Sequence, residues 1–238
     1  MIREVVLSRW FRAKADAGAT EAARLTAGTA RLLTPEQLSR KIRAATGMAW
    51  TDGSGDVLLD DFLLLYGGID SFGITERLRD ANGVISSIGL RMATDMACRS
   101  VPVDFALPVA QRRLFPHVET SYVPETDEGF DVAEARTAIR ENIRWLHWRL
   151  LGEELADDSP ELEATWELWR DTWRDQRDGV ADGSLSGSLP WQCDATEDPI
   201  TGADLPSEAR ITRDDNGAIH AWMAVMAYLL TDARFLYE

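Results

Sequence analysis

A glycine pair followed by an acidic residue and a hydroxyl residue is the pattern in this chain that most suggests chemistry. Gly67-Gly68 ends an almost continuously apolar run, and Asp70-Ser71 follows one residue later. Glycines allow backbone N–H groups to approach a phosphate closely, and a helix that begins after them adds the positive end of its dipole. A short helical stretch is predicted over residues 74–79, directly after the motif. The candidate cofactor-binding residues are therefore those of the motif: Gly67, Gly68, Asp70 and Ser71.

This motif is similar to the phosphate loop of the ATP pyrophosphatase family, whose pattern is SGGxDS. Tyr66 stands where that family has serine, and the similarity does not extend beyond the motif. The family also needs a parallel sheet with crossover helices, whereas no alternating series of strands and helices surrounds the motif here. The resemblance implies an ATP-using enzyme.

The same residues have a structural interpretation, which the sequence favours. Glycine reaches positive φ at little cost, and Asp70 or Ser71 can cap the turn that follows. The nearby Asp60 and Asp61 would repel a polyphosphate unless Mg²⁺ intervened, and the two lysines of the chain are distant in sequence. We therefore expect a turn that does not bind ATP, with the ATP-using enzyme as the alternative.

The stretch TDGSGDVLLDDF resembles the calcium loop of an EF-hand. Four oxygen-bearing residues fall at its positions 1, 3, 5 and 9: Asp52, Ser54, Asp56 and Asp60. Position 6 requires glycine for its turn and holds Val57, and position 12 requires a bidentate glutamate and holds Leu63. The pattern predicts a turn with solvated acids and no metal site.

The histidines and cysteines form no recognisable catalytic or metal-binding pattern. His117, His147 and His220 show no i, i+4 spacing, no GxSxG motif accompanies them, and each is expected in the core or at its rim. Cys98 and Cys193 lie 95 residues apart without a CxxC, which excludes the usual zinc patterns and c-type haem attachment. A disulfide between them needs an oxidising compartment, and two unrelated thiols are favoured. The sequence thus identifies no catalytic residue and predicts no cofactor.

The charge balance argues against two classes of partner. The chain has 40 acids against 25 bases and a net charge of −15, so that it lacks the basic surface that nucleic acid or anionic lipid would need. No apolar run approaches a membrane span, and residues 1–14 contain no signal peptide. Residues 152–198 hold 14 acids and three bases. This stretch is either a solvated face or an attractive surface for a basic protein.

Helical periodicity and capping signals predict most of the secondary structure. The predicted helices cover residues 2–15 and 20–33, Pro35 to Gly47, Asn82 to about Arg99, Asp131 to about Leu155, a helix from Ser159, and Ile219 to Leu236. The run from Val57 to Tyr66 is either a buried helix or a strand. Pro102 is expected to end one helix, and residues 178–210 are expected to form a long loop.

These elements predict a mostly α fold, an irregular helical bundle with long Pro/Gly-rich loops. Residues 1–238 are interpreted as a single mostly helical domain, and the proline-rich stretch near residues 100–130 is where two lobes would meet. Trp166, Trp169 and Trp173 lie on one face of the helix from Ser159. We expect at least two of them to be buried against the helices that contain Leu146 and Met226.

Four stretches together resemble a family of large bacterial proteins. They are residues 31–50, 64–83 and 112–119 and the closing WMAVMAYLLTDARFLYE. They are similar to the C-terminal regions of uncharacterised proteins of planctomycete and myxobacterial type, which are often exported and occur near domains linked to cytochrome c modules. The resemblance implies a helical interaction or structural module of a larger bacterial protein. It also leaves open an accessory domain of a redox system, and no catalytic residue can be carried over from it.

Overall fold

The structure is a computed structural model, and it describes residues 31–52, 55–70, 72–78, 80–126, 129–198 and 201–237. The helix predicted over residues 2–15 lies outside these residues, as does most of the helix predicted over 20–33. The described end of that second prediction, residues 31–33, is not helical, and Leu32 instead forms an antiparallel β-bridge with Tyr237.

The described residues form a mostly helical fold with isolated β-bridges and no sheet or barrel, which confirms the predicted fold class. Its helices are α1 (Pro35–Thr46), α2 (Val57–Asp60), α3 (Gly83–Ala106), α4 (Ala133–Leu146), α5 (Pro160–Asp182), α6 (Ala218–Thr231) and α7 (Ala233–Leu236). A 3₁₀ turn spans Val109–Gln111, and a π-helical segment, His147–Leu151, continues α4. The apolar run after Val57 thus begins as the short helix α2 and goes on as turns.

Local signals fix the ends of α1 as the sequence predicts. The Gln37 amide donates to the Thr34 hydroxyl, and the Gln37 side chain accepts from the Thr34 amide, which completes a capping box. Gly47 ends the helix in the left-handed conformation at φ +84°.

The expectation that Pro102 ends α3 is wrong. The helix continues to Ala106, with Pro102 inside it. Proline removes one backbone hydrogen bond, but Val101 and Phe105 are buried in the core on either side of it. Their packing holds the last turn of α3 in helical form.

Two other predicted helix ends also need correction. The helix expected to reach Leu155 ends at Leu151, because Gly152 adopts the left-handed conformation at φ +70°. The final helix is interrupted at Asp232, whose extended backbone separates α6 from α7 and whose carboxylate accepts the Arg234 amide. Ser159 does precede α5 as predicted, although its side chain accepts no described helix amide.

The core is built around α3, α5 and α6. Trp166, Trp169 and Trp173 on α5 are 5%, 0% and 1% exposed, and α5 packs against α6 and α4. The indole of Trp169 meets that of Trp222 on α6. The predicted burial of the tryptophan ridge is therefore confirmed.

The long loop between α5 and α6 contains two segments that pair with each other. Antiparallel bridges join Ser188 to Arg213, Ala195 to Ile211 and Glu197 to Asp204. We call these segments, residues 188–198 and 203–213, the paired loop. Cys193 in this loop forms a disulfide with Cys98 on α3, with a Cα–Cα distance of 4.7 Å. The expectation of two unrelated thiols is wrong, because the loop folds back onto α3.

Candidate functional site

The glycine pair of the candidate phosphate loop lies in a tight turn after α2. Gly67 adopts φ +92°, and the Gly68 amide donates to the Leu63 carbonyl at 2.7 Å. A Cβ atom added at Gly68 would lie 2.5 Å from that carbonyl oxygen. The approach of two backbone segments therefore requires glycine here without any ligand.

Asp70 organises the loop that follows. One of its carboxylate oxygens accepts the amides of Phe72, Gly73 and Ile74 at 2.8, 2.7 and 3.0 Å, and these hydrogen bonds lower the pKa of Asp70. Ser71, the fourth candidate residue, lies outside the described residues. Three amides that a phosphate would need are thus already engaged by a carboxylate.

No helix follows this loop at the predicted place. The described residues between 72 and 82 form bends and irregular chain, so that the helical stretch expected over 74–79 is wrong for residues 74–78. The next helix is α3, which begins at Gly83 and is capped by Asn82. Among the described residues, no helix therefore begins where its dipole would point at the glycine pair.

One acid of the EF-hand-like stretch, Asp56, has a clear structural role. Asp56 caps α2 by accepting the amides of Leu58 and Leu59, and it also accepts the hydroxyl of Ser39 from α1. Ser54 lies outside the described residues. Within the described ranges, no group of three His, Cys, Asp or Glu residues could hold a metal ion.

The three histidines lie apart from one another in separate polar contacts. His147 is fully buried between Glu153 and Thr165, each 3.1 Å from a ring nitrogen. His220 at the start of α6 pairs with the buried Asp214 at 2.6 Å. His117 is 3.9 Å from Glu141 at a half-exposed position. These contacts fit the expected core and rim positions.

A groove of about 970 Å³ lies beside the disulfide, away from the glycine motif. One wall is the chain that follows α1, from Gly47 to Asp52. The floor is the face of α3 that carries Asp95, Cys98 and Arg99, and the opposite wall comes from the paired loop and Gly202. We call this space the disulfide groove.

Side chains of α3 fix the first wall in place. Asp95 accepts the indole N–H of the buried Trp50 at 3.1 Å, and Arg99 donates to the backbone carbonyl and the hydroxyl of Thr51. Arg149, from the π-helical segment, donates to the carbonyls of Ala44 and Ala45 at the end of α1, both at 3.1 Å. Hydrogen bonds therefore hold both this wall and the end of α1 that leads into it.

The second wall contains both buried and exposed side chains. Cys193 and Ala195 are buried, and Ala195 exchanges both backbone hydrogen bonds with Ile211, at 2.8 and 3.0 Å. Trp191 is 79% exposed at the edge of the groove, and Asp194 is half-buried within it. Tryptophan is enriched in protein interfaces, because its large apolar ring also carries a polar N–H group.

The disulfide groove carries an excess of negative charge. Its lining includes five carboxylates against two guanidinium groups: Asp52, Asp95, Asp194, Glu197 and Asp198, with Arg43 and Arg99. Arg99 keeps its charge while it binds the neutral Thr51, and the lining as a whole still has three more negative than positive groups. Such a surface attracts cationic groups.

Sequence reasoning missed the key residues of this groove. Trp191 and Asp194 occur in a loop rich in Gly, Ser and Asp, where no periodicity singles them out. The acidic excess of residues 152–198 was the available signal, and it includes Asp194, Glu197 and Asp198. The four residues of the glycine motif do not line the groove.

Comparison with known proteins finds no relative: the chain matches no family model, no curated protein sequence and no solved structure. Across the described part of the chain, no helix has the length and apolar character to cross a membrane.

Proposed function

We propose that this chain is a helical interaction module of a larger bacterial protein and that it binds a basic polypeptide segment in the disulfide groove. The observation that carries this proposal is the acidic lining of the groove beside an exposed tryptophan, Trp191. The place of the module in a larger, exported protein rests on the sequence resemblance given above.

The size and shape of the groove suit a segment of extended chain. A volume of about 970 Å³ lies at the upper end of the range of ordinary ligand sites. A polypeptide segment can place several side chains along such a surface, with its backbone near the polar edge of the paired loop.

The chemistry of the lining selects for arginine and lysine. Asp194 and Glu197 can pair with cationic side chains, and the face of Trp191 can stack against a guanidinium group. An anionic ligand would meet the net negative charge of the lining and of the whole chain. This negative charge supports a basic partner over a nucleotide or a nucleic acid.

The test is a titration with a fluorescent peptide in which arginine alternates with leucine and serine, beside a peptide with glutamate in place of arginine. We expect only the basic peptide to bind. Trp191→Ala should weaken binding about tenfold, the change that corresponds to roughly 1.4 kcal/mol. Fluorescence anisotropy measures both affinities.

A charge-matched control separates the groove from general electrostatic attraction. The double variant Asp194→Asn/Glu197→Gln removes two charges from the groove, and Glu167→Gln/Asp175→Asn removes two from exposed positions on α5. The first pair should weaken peptide binding far more than the second. Equal losses from the two pairs would contradict the proposal.

A further inference from the structure

We propose that the Cys98–Cys193 disulfide is a redox-sensitive latch, whose reduction releases the paired loop from α3 and opens the disulfide groove. The disulfide joins the floor of the groove to its second wall: Cys98 lines the groove on α3, and Gln192 and Asp194 on either side of Cys193 line it from the loop. Cleavage of this bond therefore acts directly on the shape of the groove.

Among the described residues, the backbone hydrogen bonds of the paired loop lie within the loop. The amide of Leu189 donates to the Thr212 carbonyl, and the amides of Ala195 and Ile211 donate to each other's carbonyls. Leu205 donates to Thr196 in the same way. These bonds give the loop its own shape but do not tie it to α3.

Only a few side chains of the loop pack against the helices. Leu189 and Ala195 are buried, whereas most described residues from 201 to 210 are exposed. The disulfide joins the loop to α3 at Cys193, between the buried Leu189 and Ala195. Without it, the wall that carries Trp191 and Asp194 keeps apolar contact with the core through Leu189 and the partly buried Ile211.

The chemical step is thiol–disulfide exchange with a dithiol reductant. One thiolate of the reductant attacks a sulfur of the disulfide and forms a mixed disulfide, while the other cysteine leaves as a thiolate and takes up a proton. The second thiol of the reductant then closes its own disulfide and releases the remaining cysteine. Two electrons pass to the protein, and the products are two cysteine thiols and an oxidised cyclic disulfide.

Hydrogen–deuterium exchange of the whole chain tests the latch without any ligand. Upon treatment with dithiothreitol, the amides of Ala195 and Ile211 should exchange faster by about tenfold or more, because two short paired segments that no longer pack on α3 are only marginally stable in water. The amides of Val225 and Met226, buried on α6, should keep their exchange rates.

Two results would overturn the latch. Unchanged exchange at Ala195 and Ile211 would mean that the loop stays in place when reduced. Parallel acceleration at Val225 and Met226 would mean that reduction unfolds the whole helical body. The double variant Cys98→Ser/Cys193→Ser should reproduce the reduced pattern without reductant and should not respond to dithiothreitol.

The effect on ligand binding rests on the proposed function. If the oxidised protein binds the basic peptide, reduction should weaken that binding about tenfold or more, because one wall of the groove is lost. If the oxidised protein binds no peptide, the proposed function is wrong, while the exchange experiment still decides whether the disulfide holds the loop.

Discussion

The indole ring of Trp169 lies edge-on to that of Trp222, with the ring centroids 5.6 Å apart and the planes at 61°. Trp169 also stacks with Trp166 and Trp173 at 5.9 and 6.2 Å, so that it is the central ring of a continuous aromatic contact between α5 and α6. Edge-to-face and offset-stacked pairs of this kind add to the free energy of burial.

The first prediction concerns this central ring. Trp169→Ala should lower the free energy of unfolding by about 3–5 kcal/mol, because it leaves a large cavity where α5 meets α6. Urea denaturation followed by circular dichroism measures the change. Trp191→Ala is the matched control: its exposed ring should change stability by less than about 0.5 kcal/mol. Similar losses in the two variants would contradict the core position of Trp169.

The second prediction uses a buried hydroxyl. The Tyr66 side chain is 1% exposed, and its hydroxyl has no hydrogen-bond partner among the described residues. Tyr66→Phe should leave stability unchanged or raise it by about 1 kcal/mol, since an unpaired buried polar group costs free energy. Tyr237→Phe should lower stability by about 1 kcal/mol, because the Tyr237 hydroxyl accepts the Ala81 amide. Thermal unfolding of the two variants gives the comparison, and a loss in Tyr66→Phe would reveal a hidden partner.

The third prediction addresses the glycine motif. Gly68→Ala should destabilise the protein by about 1–3 kcal/mol, because the new Cβ would overlap the Leu63 carbonyl. Gly73→Ala, in the same loop with open space around it, should be close to neutral. Isothermal titration of the wild type with MgATP should show no binding. Micromolar binding that Asp70→Ala abolishes would instead support the ATP-using enzyme.

The fourth prediction is a pH dependence of stability. Two hydrogen bonds from Arg77, at 2.9 and 3.2 Å, lower the pKa of Glu36 from 4.5 to about 2. The ionised form is thus favoured by folding, so that the stabilisation is complete above pH 4.5 and is lost as the pH falls towards 2. Because both side chains are more than a third exposed, solvent screening limits the contribution to less than about 1 kcal/mol.

Denaturation curves from pH 7 to pH 2 test this dependence. The difference in stability between the wild type and Glu36→Gln should shrink through that window and vanish at its acidic end. Arg77→Gln, which removes both hydrogen bonds to Glu36, should show the same convergence with the wild type. A constant difference between the wild type and Glu36→Gln at all pH values would contradict the prediction.

Local signals in the sequence are sufficient to predict much of the fold. The capping box at Thr34, the left-handed Gly47 and the spacing of Trp166, Trp169 and Trp173 each depend on residues within one helix, so that they can be recognised without tertiary information. The effect of Pro102 could not be predicted in this way, because it depends on tertiary contacts. Proline locally favours the end of a helix, but burial of the neighbouring Val101 and Phe105 outweighs that effect.

The disulfide groove could not be found by the same reasoning. Its walls come from residues 47–52, α3 and the paired loop, which meet only because the loop folds back across the chain. Neither cysteine has a neighbour in sequence that indicates its partner, and Trp191 lies in a stretch without periodicity. Long-range contacts of this kind depend on the packing of the whole domain, which no single stretch of residues encodes.

The two hydrogen bonds from Arg149 to the carbonyls of Ala44 and Ala45 have a consequence for ligand binding. They place a cation at the negative end of α1 and couple that end, which leads into the first wall of the groove, to the π-helical segment that continues α4. This wall is therefore preorganised before any ligand arrives. When a ligand binds, most of the loss of conformational entropy should therefore come from the wall that carries Trp191. That wall is exposed, and the disulfide anchors it to α3.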